Sequence, residues 1–278
     1  MHTIQTARPR PELSEFVRSY SQREMTCSAS AFELPFIASV EPILSFNFYD
    51  RETMQDEGGQ RRPVSRFHVL GPQTRPSRRA HFEGYTLAFG IFLKPLALWR
   101  LFGIPSLAVS DADIAGEDLL GKESQSLWQK LGESRSFAER IQVAEHYLLP
   151  FALNVVDRTR IMKSAAYISF NNGATRIDVL ARDAALSMRQ FERRFAEEVG
   201  MSPKLFARIT RFQTVLDAKR LTPSISWLSV AHEFGYHDQM HMIRDFHNLG
   251  GSAPRTVIQQ SGDLQPWSLA STTPLEVR

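Results

Sequence analysis

The sequence predicts a two-domain α+β protein: a β-rich N-terminal domain with flanking helices, then an all-α C-terminal domain of two helix pairs joined by a long helix. Three observations carry that prediction. The chain has 278 residues, and about 150 residues is a common domain size. Its first hundred residues alternate apolar and polar with the period of a strand. Its last hundred switch to the period of a helix and repeat themselves. A composition of 42% hydrophobic and 23% charged residues is globular and excludes wholesale disorder.

In ILSFNFYD, Leu44, Phe46 and Phe48 fall on one side, and Ser45 and Asn47 on the other. That is the pattern of a half-buried strand. RFHVLGP (66–72) reads as a second strand closed by Gly71-Pro72, and YTLAFGIFL (85–93) as a third, more fully apolar. Polar, turn-rich stretches at 56–63 and 73–79 separate them. Pro95 opens a short helical turn that ends at Gly103. Residues 1–115 are therefore expected to be β-rich with short helical trim. Beyond 116, Leu127, Trp128 and Leu131 take helical spacing. Ser136 followed by Glu139 is a capping box opening a further helix, and Pro150 is expected to end or kink it. The boundary is placed at 150–159. This gives domains 1–150 and 158–260, with 261–278 a polar, Pro-containing tail expected to be flexible.

The single cysteine, Cys27, excludes an intrachain disulfide and multi-cysteine metal sites. No apolar run approaches the roughly 18–20 residues of a membrane span. The N-terminal residues carry no apolar signal-peptide core. A cytoplasmic protein with no membrane partner is expected. The net charge of +3 is uneven: residues 158–260 carry 15 Lys+Arg and 9 Asp+Glu, a net of +6, which leaves −3 elsewhere. A basic C-terminal module suits a polyanion.

That module contains an internal repeat. FERRFAEEVGMSP (191–203) and MIRDFHNLGGSAP (242–254) align at an offset of 51, matching Arg193 to Arg244, Phe195 to Phe246, Gly200 to Gly251 and Pro203 to Pro254. In each copy an apolar-faced helix ends at glycine, and a proline soon after forbids its continuation. Upstream of each lies a short helix with a central alanine, Ala181 or Ala231. The turns Ala185-Leu186-Ser187 and Gly235-Tyr236-His237-Asp238 follow, with Ser187 and Asp238 suited to cap the next helix. Short helix, tight turn, second helix with exposed arginine is the helix-turn-helix pattern, present twice. SPKLFARITRFQTVLDAKRL (202–221) supplies the rigid connector, with Phe206, Ile209, Phe212 and Leu216 on one face and Arg208, Arg211, Lys219 and Arg220 decorating it.

Residues about 158–258 resemble the DNA-binding domain of the AraC (arabinose-regulator-like) family of bacterial transcription regulators. LPFIASVEPILSFNF, LGPQTR and FLKPLALWRLFGIPSLAVSD resemble, less closely, the N-terminal domain of one branch of that family. The resemblance implies a sensor-like N-terminal domain and sequence-specific binding to double-stranded promoter DNA, usually as an activator. It further implies contact with RNA polymerase, a small-molecule effector on the N-terminal domain, a homodimer and a nucleoid-associated place in a bacterial-type cytoplasm. Carried across, its base-reading positions fall on Arg189, Glu192 and Arg193 in the first recognition helix, with Ser187 and Gln190 flanking. In the second they fall on Gln239, Met240, His241, Ile243 and Arg244. Arginine pairs with guanine, glutamine with adenine, and apolar side chains touch thymine methyls. The chain departs from the family at Ala185, where glycine is usual, at Met240 and Met242, and at Val257-Ile258.

The alternative is an enzyme domain over 1–150 fused to a DNA-targeting module. The N-terminal half offers His2, His68 and His81 without the tight spacing of a metal-dependent enzyme, and no GxSxG, phosphate-binding loop or dinucleotide fingerprint. His237 and His241 have i, i+4 spacing, but one lies in the turn and the other on the recognition helix. No catalytic residue, cofactor or metal is expected. Phe46, Phe48, Phe89 and Phe92 are expected to be core rather than the lining of a pocket.

Overall fold

The computed structural model describes residues 2–50, 52–155 and 159–261. Its N-terminal part is a sheet of eight strands with every pair antiparallel: β1 (His2–Ala7), β2 (Val17–Phe36), β3 (Ile43–Tyr49), β4 (Thr53–Gln55), β5 (Arg61–Pro63), β6 (Phe67–Leu70), β7 (Arg78–Leu93) and β8 (Asp113–Ala115). The path runs β1-β2-β7-β3-β6-β8, with β4 on β7 and β5 on β4. Helices α1 (Ala97–Phe102), α2 (Ser106–Val109), α3 (Gly116–Leu120), α4 (Glu123–Glu133) and α5 (Phe137–Leu153) trim it.

The sheet has two differently built faces. Residues paired across strands share a face. Tyr20, Leu44, Phe46, Phe89 and Ile91 therefore lie together and pack against Leu127 and Leu131 of α4 and Ala144 and Leu148 of α5. The opposite face is mixed. Met25, Ile43, Leu70, Phe82 and Phe92 form its apolar part, beside buried Arg23, Asn47, Glu52 and His68. His68 Nδ1 lies 2.6 Å from Asp113 Oδ1, and its Nε2 lies 3.3 Å from Asn47 Nδ2.

Two sequence expectations need correction here, and two strands were not foreseen. The stretch 56–63 is a hairpin turn that enters β5, and 78–79 already belongs to β7. Strands β1 and β2 carry no clean alternation in the sequence, because β2 buries Ser19, Ser21 and Arg23 on its inner face. Pro150 does not end α5, which runs one turn further to Leu153. A missing N–H so close to the helix end removes a single bond, and Asn154 Nδ2 donates back to Pro150 O. Ser136 caps α5 by accepting from Glu139 N–H, while the Glu139 carboxylate accepts from Arg135 N–H. Phe46, Phe48, Phe89 and Phe92 are core.

The C-terminal part is helical: α6 (Arg160–Phe170), α7 (Ile177–Asp183), α8 (Met188–Val199), α9 (Pro203–Leu221), α10 (Trp227–Glu233), α11 (Gln239–Gly250) and α12 (Pro254–Ser261). Beyond Ser261, the expected tail lies outside the described residues. One core holds this part together. Phe195 and Phe206 meet edge to face at 5.5 Å, and Phe212 and Phe246 at 4.9 Å. Phe206 and Phe212 both sit on α9, so the connecting helix packs against each repeat in turn. At 1.5 Å per residue its 19 residues span about 28 Å.

Candidate nucleic-acid interface

Each repeat builds a short helix, a turn and a capped second helix from local signals. In the first, α7 stops at Asp183 and the chain turns through Ala185 at φ 51°. That left-handed value explains why glycine suits the position; the second repeat has Gly235 there at φ 72°. Ser187 Oγ accepts from Gln190 N–H, and Gln190 Oε1 accepts from Ser187 N–H and Oγ–H. In the second repeat Asp238 Oδ1 accepts from His241 N–H at 2.6 Å. That bond first, and His237 next, hold the Asp238 carboxyl below the usual range. Both second helices end at a left-handed glycine, Gly200 at φ 95° and Gly251 at φ 78°.

The caps decide what the second helices present. On α8, Phe191, Phe195 and Val199 are buried, leaving Ser187, Arg189, Gln190, Glu192 and Arg193 exposed on the other face. Arg189 and Arg193 stand one turn apart and have no hydrogen bond or ion pair among the described residues. Ser187 and Gln190 spend their oxygens on the capping box, so the Gln190 amide N–H groups remain as donors. On α11, Met242, Asp245, Phe246 and Leu249 are buried. Gln239, Met240 and Arg244 are exposed, while His241 and Ile243 are half-buried. The His241 ring stands edge-on to Tyr236 at 5.2 Å. Arg244 Nε donates weakly to Met240 O, 3.3 Å away. Met242 is a core residue, which accounts for an apolar side chain at that departure from the family pattern.

The basic residues of α9 do not form a free strut. Arg208 pairs with Asp245 of α11 at 2.6 Å. Arg211 donates to Gly173 O and lies over the Tyr236 ring. Lys219 donates to Pro223 O and Ile225 O. These contacts lock α9 to both repeats. The sequence pattern missed them because their partners lie 4 to 38 residues away, off the helix itself. Among the described residues no group of His, Cys, Asp and Glu could hold a metal ion, and no helix is long and apolar enough to cross a membrane.

Residues 180–260 match the family described as "Helix-turn-helix domain". Residues 5–115 match "Domain of unknown function (DUF6597)". The fold is similar to that of ToxT from Vibrio cholerae over 93% of this chain and 98% of that one, at 8% identity and a TM-score of 0.50. The chain carries an AraC-type helix-turn-helix domain and is a DNA-binding transcription regulator. Two further likenesses are to ToxT of Vibrio cholerae O395 (10% identity, 94% and 99% coverage, TM-score 0.48) and to the AraC-like transcriptional activator CuxR (13% identity, 76% and 86% coverage, TM-score 0.26). No curated protein matches the regulator in sequence. An enzyme half fused to a DNA-targeting module is not favoured.

A cleft that sequence reasoning missed lies where the two parts of the regulator meet. Leu34, Phe36, Ile43 and Leu70 line it from the sheet, and Gln213 and Leu216 from α9. Gln73, buried at its edge, donates to Gly71 O, and its Oε1 has no partner among the described residues. These residues come from segments far apart in the chain, so no local signal could have grouped them.

Proposed function

We propose that the regulator reads two successive major grooves of a promoter with α8 and α11, and that it acts as an activator. The observation that carries this reading is the pair of capped helices, each with an exposed polar face and each packed against one rigid connector. Arg189, Glu192 and Arg193 read bases in the first groove, with Ser187 and Gln190 beside them. Gln239, Met240, His241, Ile243 and Arg244 serve the second. Arg193 and Arg244, at equivalent repeat positions, are the main guanine contacts. Phosphate contacts set the register, so affinity falls with salt.

In this reading residues 1–150 form the regulatory domain and 158–260 the DNA-binding domain, joined through 150–159. A small effector with an apolar body occupies the cleft between the sheet and α9, and the polar groups at the cleft edge orient it. The regulator works in the bacterial cytoplasm, in the nucleoid, through RNA polymerase, either alone or as a homodimer. It catalyses no reaction and needs no cofactor. Selection of binding sites from random duplex DNA at near-physiological salt tests the core of this reading. Two short boxes about ten base pairs apart are expected. Failure of full-length protein to enrich any site overturns it.

A further inference from the structure

The N-terminal part reaches the far ends of both recognition helices. The last carbonyls of an α-helix have no partner within it, and two of them here are satisfied from the other half of the chain. Ser110 Oγ, just after α2, lies 2.5 Å from Gly200 O at the end of α8. Ala38 N–H, just after β2, donates to Leu249 O in the last turn of α11 at 2.8 Å. Packing repeats the pattern. A Cβ on Gly200 would lie 3.1 Å from Pro72 Cγ, and a Cβ on Gly251 would lie 3.4 Å from Pro76. The two glycines related by the sequence repeat thus both face one loop, 71–77, Gly200 buried and Gly251 exposed.

The three contacting segments are tied into one platform. Ser39 and Gln73 exchange backbone hydrogen bonds of 2.8 Å. Asp111 donates its N–H to Pro72 O and accepts from Thr74 N–H and Thr74 Oγ–H, while Arg78 donates to Asp111 O. Gln213, midway along α9, donates to Ser39 Oγ at 3.3 Å. The platform therefore touches α9 at its middle, and α8 and α11 at the ends remote from the capped N-termini and the exposed reading residues.

We infer that this platform is an external brace in which Ser110 and Ala38 are positioning residues: by capping both recognition helices it fixes their mutual setting, and with it the spacing between the two DNA boxes. The contacts with α9 hold each repeat along one side. The platform adds a second support at the C-terminal ends of α8 and α11. The inference rests on the reading that both helices enter DNA.

Site selection with full-length variants tests it. Ser110→Ala with Ala38→Pro removes both donors and leaves every reading residue intact. The expected result is unchanged box sequences with a broadened spread of spacings. Ser110→Ala alone should broaden it less, and it becomes the deciding variant if the double variant shows no cooperative melt. Pro76→Cys with Gly251→Cys brings two Cβ positions within disulfide reach; oxidised, it ties the end of α11 to the platform and should restore the single spacing to an Ala38→Pro background, whose lost donor served that helix. A wild-type spacing distribution in the Ser110→Ala and double variants overturns the brace. If wild-type protein enriches no site, that result counts against the DNA reading. Hydrogen exchange then decides the brace, which fails if the last turns of α8 and α11 exchange no faster in the double variant.

Discussion

Arg208 on α9 reaches across to α11 and sets its Nη2 2.6 Å and its Nε 3.1 Å from one oxygen of the buried Asp245 carboxylate. The carboxylate is 3% exposed and the guanidinium 35%, so the acid depends on the base far more than the reverse. Removing the base leaves a buried negative charge under the second recognition helix. Arg208→Ala should destabilise the fold by about 2 kcal/mol, below the cost of breaking a fully buried pair because Arg208 is partly in water. Asp245→Asn, which keeps the shape without the charge, should cost less. Urea unfolding of the two variants checks the order. Equal costs would show that the charge is not what matters.

Base reading is tested at the repeat-related arginines. Arg193→Ala and Arg244→Ala should each weaken specific binding by about 2 kcal/mol, roughly thirtyfold. Each should relax base preference only in its own box. Titrations against site variants, at two salt concentrations, separate this from a phosphate contact, which would weaken all sequences alike.

The cap of α11 makes a pH prediction. Asp238 has a native pKa held low, so its contribution is complete above the ordinary carboxylate value and is lost as pH falls through the native one. Asp238→Asn can still cap but carries no charge. The wild-type advantage over it should vanish in acid, as followed by far-ultraviolet dichroism from pH 6 to 2. A difference that stays constant over that range rules the cap's charge out as the cause.

The inner face of the sheet predicts the opposite slope. Burial works against a charge on His68, but the hydrogen bond from Asp113 and the charges of Asp113 and Glu52 outweigh it and raise its pKa. A raised native pKa stabilises fully below the ordinary histidine value of 6.5, and that stabilisation is lost as pH rises through the native value. The melting temperature of wild type should therefore fall towards His68→Gln between pH 6 and 9. Parallel curves for the two proteins would refute the pairing.

Much of the C-terminal fold was legible because its signals are local. A cap, a left-handed turn, a terminal glycine and a proline each act within a few residues; the cap, glycine and proline recur at the offset of 51 and the turn residue at 50. The exposed positions of most proposed reading residues followed from the same pattern, while His241 and Ile243 are half-buried. What was not legible depends on contacts between distant segments. Ser19, Ser21 and Arg23 look like a solvated stretch, yet their strand is buried on both faces. Arg208, Arg211 and Lys219 look like a basic surface, yet each binds a specific acid, ring or carbonyl. Pro150 signals a helix end, but one lost bond in the last turn is too small a penalty to stop α5.

Ala38, Val40 and Leu96 are buried in the same apolar cluster as Phe195, Phe206 and Phe246. The sheet half thus lends side chains to the interior of the helical half, which is not complete alone. Domain shuffling meets a barrier here that a plain linker would not raise. A chimaera that grafts a different sensor onto these helices must supply three matching apolar side chains at the same seam, or the transplanted reading head will expose part of its own core to water.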